Sequence, residues 1–131
     1  MMRFADCVPI LIHDPVKKVV GLVHAGWQGT LIEVGALAVK KAVENYGCDP
    51  ADLRVGIGPS ICGNCYQVGK DVRSQYYRKW GEKANEIISE SAQGNYLDLW
   101  AANEWSLRNA GVQHIEQAGI CTAENLHEWY S

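Results

Sequence analysis

Two apolar runs open the chain and point to a β-hairpin. Val8-Pro9-Ile10-Leu11-Ile12 leads into Asp14-Pro15, a dipeptide that favours turn initiation, and the β-branched run Val19-Val20-Gly21-Leu22-Val23 follows. A loop over residues 14–17 sets a register in which 13 faces 18, 12 faces 19 and 7 faces 24. Cys7 and His24 then form a directly opposed pair, with Cβ atoms about 4.5–5.5 Å apart. A thiolate and an imidazole at that separation can share one Zn²⁺ at roughly 2.3 and 2.1 Å, or act as nucleophile and base.

The pattern downstream alternates helices and strands. Thr30-Leu31-Ile32-Glu33 reads as a capping box opening a helix over 30–46, with Ile32, Ala36, Val39, Val43 and Tyr46 as its apolar stripe and Gly47 as its stop. The crossing Ala25-Gly26-Trp27-Gln28-Gly29 places His24 before that helix N-terminus, where backbone amides favour an anion. A turn at Asp49-Pro50, a strand over 53–57, a glycine-rich loop over 58–69 and a helix near 70–80 with Val72, Tyr76 and Trp80 as its spine come next. Residues 82–95 give no clear period, because Ile87-Ile88 stands alone among polar neighbours. A helix from about 99 to 110, with Asp98 as N-cap and Gly111 as stop, precedes a strand near 112–120. Strands flanked by helices, with antiparallel pairing, predict an α/β sheet layered with helices.

Composition narrows the function classes. A chain of 131 residues with 47% hydrophobic content can bury one modest core, so a single domain or a large fragment of one is expected over 1–131. Twelve basic and 15 acidic residues give a net charge of −3, and no basic cluster exceeds Lys17-Lys18 or Lys40-Lys41. This argues against a nucleic acid polymer, whose phosphates need clustered cations, but not against a mononucleoside. No membrane partner is expected, since no apolar run reaches the roughly 20 residues of a membrane span, and the N-terminus has no signal-peptide pattern. With five cysteines and no secretory signal, free thiols and a cytoplasmic location are expected.

Other chemical residues have plainer readings. Cys62-Gly63-Asn64-Cys65 is a CxxC, but a structural zinc site needs a second ligand pair and none stands at matching spacing. The expectation is a substrate-facing loop with incidental thiols. His13 sits roughly 20 Å along the strand from Cys7 and is expected to be exposed. His114 and His127 read as structural or surface groups, and Trp27, Trp80, Trp100, Trp105 and Trp129 as packing, although Trp27 could also wall a pocket for a flat ring.

Six blocks in order carry a family resemblance. Ala5-Asp6-Cys7-Val8-Pro9-Ile10-Leu11, His24-Ala25-Gly26-Trp27, Ile57-Gly58-Pro59-Ser60-Ile61-Cys62, Cys65-Tyr66-Gln67-Val68-Gly69, Leu97-Asp98-Leu99 with Asn103, and Cys121-Thr122 resemble the signature blocks of the YfiH family. That family is also called laccase-domain or multicopper polyphenol oxidase proteins, and purine nucleoside phosphorylases. The resemblance implies an α/β fold with α-β-β-α layers and a mixed or antiparallel sheet, of the kind shared with some cysteine deamidases. It implies that Cys7 and His24 are catalytic and are two of the three ligands of a zinc site, the third being a histidine upstream of the Ala5-Asp6-Cys7 block. Members continue past the Trp129-Tyr130-Ser131 position into a basic tail, so this sequence reads as a fragment lacking the N-terminal part. Gly26, Trp27, Gln28 and Gly58 are expected to bind substrate, with the departure that members commonly carry arginine where Gln28 stands.

Several functions follow as expectations. The first is a zinc-dependent purine nucleoside phosphorylase acting on adenosine, inosine or methylthioadenosine with phosphate, with adenosine deamination as a side activity. Copper on the same ligands would account for the polyphenol oxidase label. A metal-free cysteine hydrolase or deamidase, with Cys7 as nucleophile and His24 as base, is the alternative from a different class. Ligand binding without turnover is a third reading. Among partners, a homo-oligomer is kept open beside the nucleoside and phosphate.

Overall fold

The structure is a computed structural model that describes residues 5–129, so Tyr130 and Ser131 of the C-terminal position named above lie outside it. The opening hairpin forms as β1 (Val8–Asp14) and β2 (Val19–Ala25). Its register differs from the expected one by two residues, since Asp14 pairs with Val19 and Pro9, not Cys7, pairs with His24. The reason is Asp14. Its buried carboxylate accepts the amides of Val16 at 2.8 Å and Lys17 at 3.0 Å, so Asp14 ends the strand as the first residue of an Asx turn and the loop becomes 15–18.

That carboxylate also makes a pH prediction. The Cys48 thiol and the backbone amides of Lys17 and Val16 hold the Asp14 carboxyl below the ordinary carboxylate value. Its contribution to stability is complete above the unfolded value of about 3.9 and disappears as pH falls through the lower folded value, because the unfolded chain takes up the proton first. Thermal melts in acid should show this loss, and Asp14→Asn should flatten that acid limb. An acid limb of unchanged steepness in the variant would contradict the assignment.

β1 is central in a mixed four-stranded sheet. It pairs antiparallel with β2 and with β3 (Arg54–Ile57), and β3 pairs parallel with β7 (His114–Gln117), giving the order β2-β1-β3-β7. Val8, Ile10 and Ile12 of β1, with Val55 and Ile57 of β3, point into the core. The opposite face leaves Leu11, Val20 and Leu22 exposed.

The first helix is where local signals mislead. Thr30 does not cap. The chain turns helical earlier, as α1 (Trp27–Leu31), breaks at Ile32 and Glu33, and resumes as α2 (Val34–Tyr46). Glu33 is left-handed, with φ 58°, and no side chain caps either helix. The fully buried Asn103 donates to the Thr30 hydroxyl at 3.0 Å and to Leu99 O at 2.8 Å, so a tertiary partner takes the group that a capping box would use. The break also resets the helical phase. Gly35, Val39 and Ala42 face the core, whereas Ile32, Val43 and Tyr46 of the expected stripe are exposed.

The remainder agrees more closely. Asp49 accepts from Ala51 N in the turn before β3, and α3 (Lys70–Trp80) buries Tyr76. Asp98 caps α5 (Leu99–Asn109) by accepting from Ala101 N at 3.0 Å. In the unreadable stretch, the chain switches from α4 (Ala84–Ile87) to β5 (Ile88–Ser91) between the two isoleucines, and both are buried. β5, β6 (Gly94–Leu97) and β4 (Gln67–Val68) make a small antiparallel sheet in the order β4-β6-β5. Trp80 and Trp105 pack at 4.9 Å, and Trp100 Nε1 donates to Ser60 Oγ at 2.6 Å, but Trp129 remains exposed rather than packed. No helix among the described residues is long and apolar enough to cross a membrane.

Candidate functional site

Cys7 stands one residue before β1, and its neighbour is held unusually tightly. Asp6 adopts φ 49°, a left-handed conformation that a non-glycine residue keeps only when its surroundings fix it. Its carbonyl accepts Ile61 N at 3.0 Å, and its carboxylate accepts the Thr122 hydroxyl at 3.0 Å. Extending the observed ladder places Cys7 across from Gly26, and a Cβ on Gly26 would lie only 3.3 Å from Cys7 Sγ. The absence of a side chain at Gly26 therefore gives the thiol its space.

The two-residue shift preserves parity. Extended one residue past β1, the ladder gives Cys7 the parity of Pro9, and so of its partner His24. Cys7 and His24 are thus diagonal neighbours with backbones roughly 7–8 Å apart, rather than an opposed pair. A histidine ring spans much of such a gap, so thiolate and imidazole remain a chemically suitable pair of donors for one ion.

A cavity of about 240 Å³ opens at this point, lined by Asp6, Cys7, Gly26, Ile61, Tyr66 and Leu99. Burial and the neighbouring Asp6 charge raise the Cys7 pKa above that of a free thiol. That is the reverse of what a nucleophilic thiolate requires. Burial, with the Cys7 and Asp6 charges, also raises Tyr66. Two larger clefts of about 430 Å³ lie elsewhere, one on the open sheet face around Leu11, His13 and His114, the other along Ile32, Leu37 and Val43 of the α2 region. Neither holds a cysteine, so the smaller cavity is the better chemical candidate.

The other expected site residues are distributed unevenly. Gly26 lines the Cys7 cavity, whereas Trp27 and Gln28 begin α1. Trp27 is half-buried and its carbonyl accepts the Tyr76 hydroxyl at 2.6 Å, while Gln28 is exposed. Gly58 lies outside that lining, and its amide already donates to Pro9 O at 2.9 Å. His24 is exposed and engaged in the structure.

A second constellation corrects the expectation for the CxxC. Cys62, Cys65, Cys121 and Glu124 bring their ligand atoms within 4.8 Å of one another and could hold a metal ion. The second ligand pair is a cysteine and a carboxylate at the same i, i+3 spacing, Cys121-Thr122-Ala123-Glu124, which a search for a second CxxC misses. The tertiary link is a parallel bridge between Ser60 and Cys121. All five cysteines are free thiols. Burial opposes ionisation of Cys121, but hydrogen bonds led by the Cys62 amide outweigh it and lower its pKa. Burial and the facing Cys62 and Cys121 push Cys65 up to about 12.

Comparison with known proteins adds the lineage. The family described as multi-copper polyphenol oxidoreductase laccase matches residues 1–131. The chain belongs to this family. It is 39% identical over 131 residues to purine nucleoside phosphorylase YlmD of Bacillus subtilis, covering 98% of this chain and 47% of that relative. It is 40% identical over 120 residues to a purine nucleoside phosphorylase of Deinococcus radiodurans, covering 92% of this chain and 46% of that protein. Among solved structures, Bacillus licheniformis hypothetical protein YfiH superposes with a TM-score of 0.90 at 35% identity, over 98% of this chain and 49% of the other. YlmD of Geobacillus stearothermophilus gives a TM-score of 0.85 at 34% identity, over 98% and 48%. The chain thus spans about half the length of the curated relatives it matches, and the α/β fold with mixed and antiparallel sheets is theirs.

Proposed function

We propose that this chain carries part of the active site of a cytoplasmic purine nucleoside phosphorylase that cleaves adenosine, inosine or methylthioadenosine with phosphate, with adenosine deamination as a lesser reaction. What supports the reading is a cavity lined by Cys7 and Gly26 next to the strand that carries His24, in a chain whose relatives are named purine nucleoside phosphorylases. Cys7 and His24 are the proposed zinc ligands, and the soft thiolate and borderline imidazole suit that ion or copper. Bound zinc would supply a Lewis acid for an anionic reactant or a source of hydroxide.

The chain's own residues set the rest. Gly26 leaves room for a reactant against Cys7, Ile61 and Leu99 give the cavity apolar walls, and the raised Tyr66 hydroxyl stays protonated as a hydrogen-bond donor. Trp27 and Gln28, next along the chain, and Gly58, outside the cavity lining, are the proposed contacts to the purine or sugar.

The test is phosphate-dependent release of adenine from adenosine. The chain should release base only with phosphate, and faster with added Zn²⁺. Base release that ignores phosphate, or none with zinc present, would overturn the proposal. Faster oxidation of a polyphenol with Cu²⁺ than phosphorolysis with Zn²⁺ would favour the oxidase reading that the family description suggests.

A further inference from the structure

We infer that Cys62, Cys65, Cys121 and Glu124 form a closed, structural Zn²⁺ site, separate from the Cys7 and His24 pair, that clamps the C-terminal segment onto the loop walling the cavity. The two sulfur–oxygen edges to Glu124 fit before any ion is added. A tetrahedral zinc with bonds of about 2.3 Å to sulfur and 2.1 Å to oxygen separates a sulfur from an oxygen ligand by about 3.6 Å, and two sulfurs by about 3.8 Å. Glu124 Oε1 lies 3.6 Å from Cys65 Sγ and 3.8 Å from Cys62 Sγ, and all four ligand atoms fall within 4.8 Å.

The backbone around the donors supports a tight knuckle. Cys65 N and Tyr66 N both donate to Cys62 O, closing a turn that aims two thiols the same way. Cys62 N donates to Cys121 Sγ at 3.3 Å, an amide-to-sulfur bond that stabilises a thiolate ligand from outside the coordination shell. Opposite, Asn125 Nδ2 donates to Cys121 O at 2.8 Å and holds the turn that presents Glu124. Three thiolates and a carboxylate leave no open position, so the site is structural rather than catalytic. The CxxC and the CxxE pair lie 59 residues apart in the chain at their facing positions, so an ion shared between them links distant segments.

The consequence reaches the cavity. Ser60 N donates to Ile120 O and Thr122 N to Ser60 O, and the Thr122 hydroxyl bonds Asp6, the neighbour of Cys7. Ile61 and Tyr66, which flank the two loop cysteines, line the same cavity. Fixing Cys121 to Cys62 and Cys65 therefore fixes two cavity walls and the residue before Cys7.

Metal content distinguishes this site from the Cys7 site. The protein purified under reducing conditions should carry Zn²⁺, and the Co²⁺-substituted form should absorb as a tetrahedral thiolate complex. One equivalent of tightly held Zn²⁺ and the three-thiolate Co²⁺ band should persist in Cys7→Ala, and that equivalent and that band should be lost in Cys62→Ser/Cys65→Ser and in Cys121→Ser, whatever ion the Cys7 site retains. Because Cys121 is buried and its variant could unfold, Glu124→Gln, at an exposed position, gives the second arm. It should keep the fold and weaken Zn²⁺ at least about tenfold in a chelator competition, the lower bound for disturbing even an outer partner. Unchanged zinc affinity in Glu124→Gln and the double serine variant would overturn the inference. So would loss of all zinc in Cys7→Ala, or a native Cys62–Cys65 disulfide with no bound ion.

Discussion

Replacing Cys7 with alanine is expected to lower phosphate-dependent turnover of adenosine at least about 100-fold, since disturbing even an outer partner of a metal ligand costs about 10–100-fold. The fold should survive. Cys7 precedes β1 rather than anchoring it, its thiol is only half-buried, and the backbone on both sides is held by Asp6 and by the ladder from Val8 onward. The melting temperature should therefore stay close to that of the parent, with a cost of about 1 kcal/mol or less. Steady-state assays of base release, paired with thermal melts of the same preparation, separate loss of chemistry from loss of structure. A Cys7→Ala variant that keeps most of its turnover would place the reacting centre elsewhere, the open-face cleft around His13 and His114 being the next place to look.

The largest stability effect is expected from Leu107→Ala. Leu107 of α5 is fully buried, and its side chain meets α2 at Gly35, where an added Cβ would lie 3.2 Å from Leu107 Cδ2 and 3.2 Å from Ile10 Cδ1. Strand β1 and helices α2 and α5 converge there, so the void left by three lost carbons has walls on three elements and cannot collapse easily. Leu→Ala changes of this kind cost about 2–5 kcal/mol. We expect about 3 kcal/mol, or a fall of about 10 °C in melting temperature for a chain of this size. Leu126→Ala, at a position 65% exposed, is the control and should change stability by under about 0.5 kcal/mol. A Leu107→Ala cost no larger than the control would mean that this junction is not the centre of the core.

Some of this protein is legible in its sequence because the forces concerned are local. Asp98 before an apolar-periodic stretch, Gly111 after it, and the turn at Asp49-Pro50 before the strand at 53–57 are short-range signals, and α5 and β3 lie where those signals put them. The signature blocks around Cys7 and His24 also identified the family from residue types and spacing. The hairpin shows the limit of local reading. Counting residues gave a loop at 14–17, but burial of the Asp14 carboxylate and its bonds to Val16 and Lys17 moved the loop to 15–18 and made Cys7 and His24 diagonal.

Tertiary contact decided the rest. Thr30 looks like a helix cap until Asn103, 73 residues away, takes its hydroxyl, and the helix then starts earlier and breaks at Glu33. Cys62 and Cys65 look incidental until the parallel bridge at Ser60 brings Cys121 and Glu124 beside them. A hydroxyl or thiol gains more by satisfying a buried partner than by satisfying a local backbone group, because an unpaired polar group in the interior costs about 1–3 kcal/mol whereas an exposed cap competes with water. Which distant partner arrives is set by the packing of β1, β3 and the loop after them, and sequence spacing alone carries no record of that meeting.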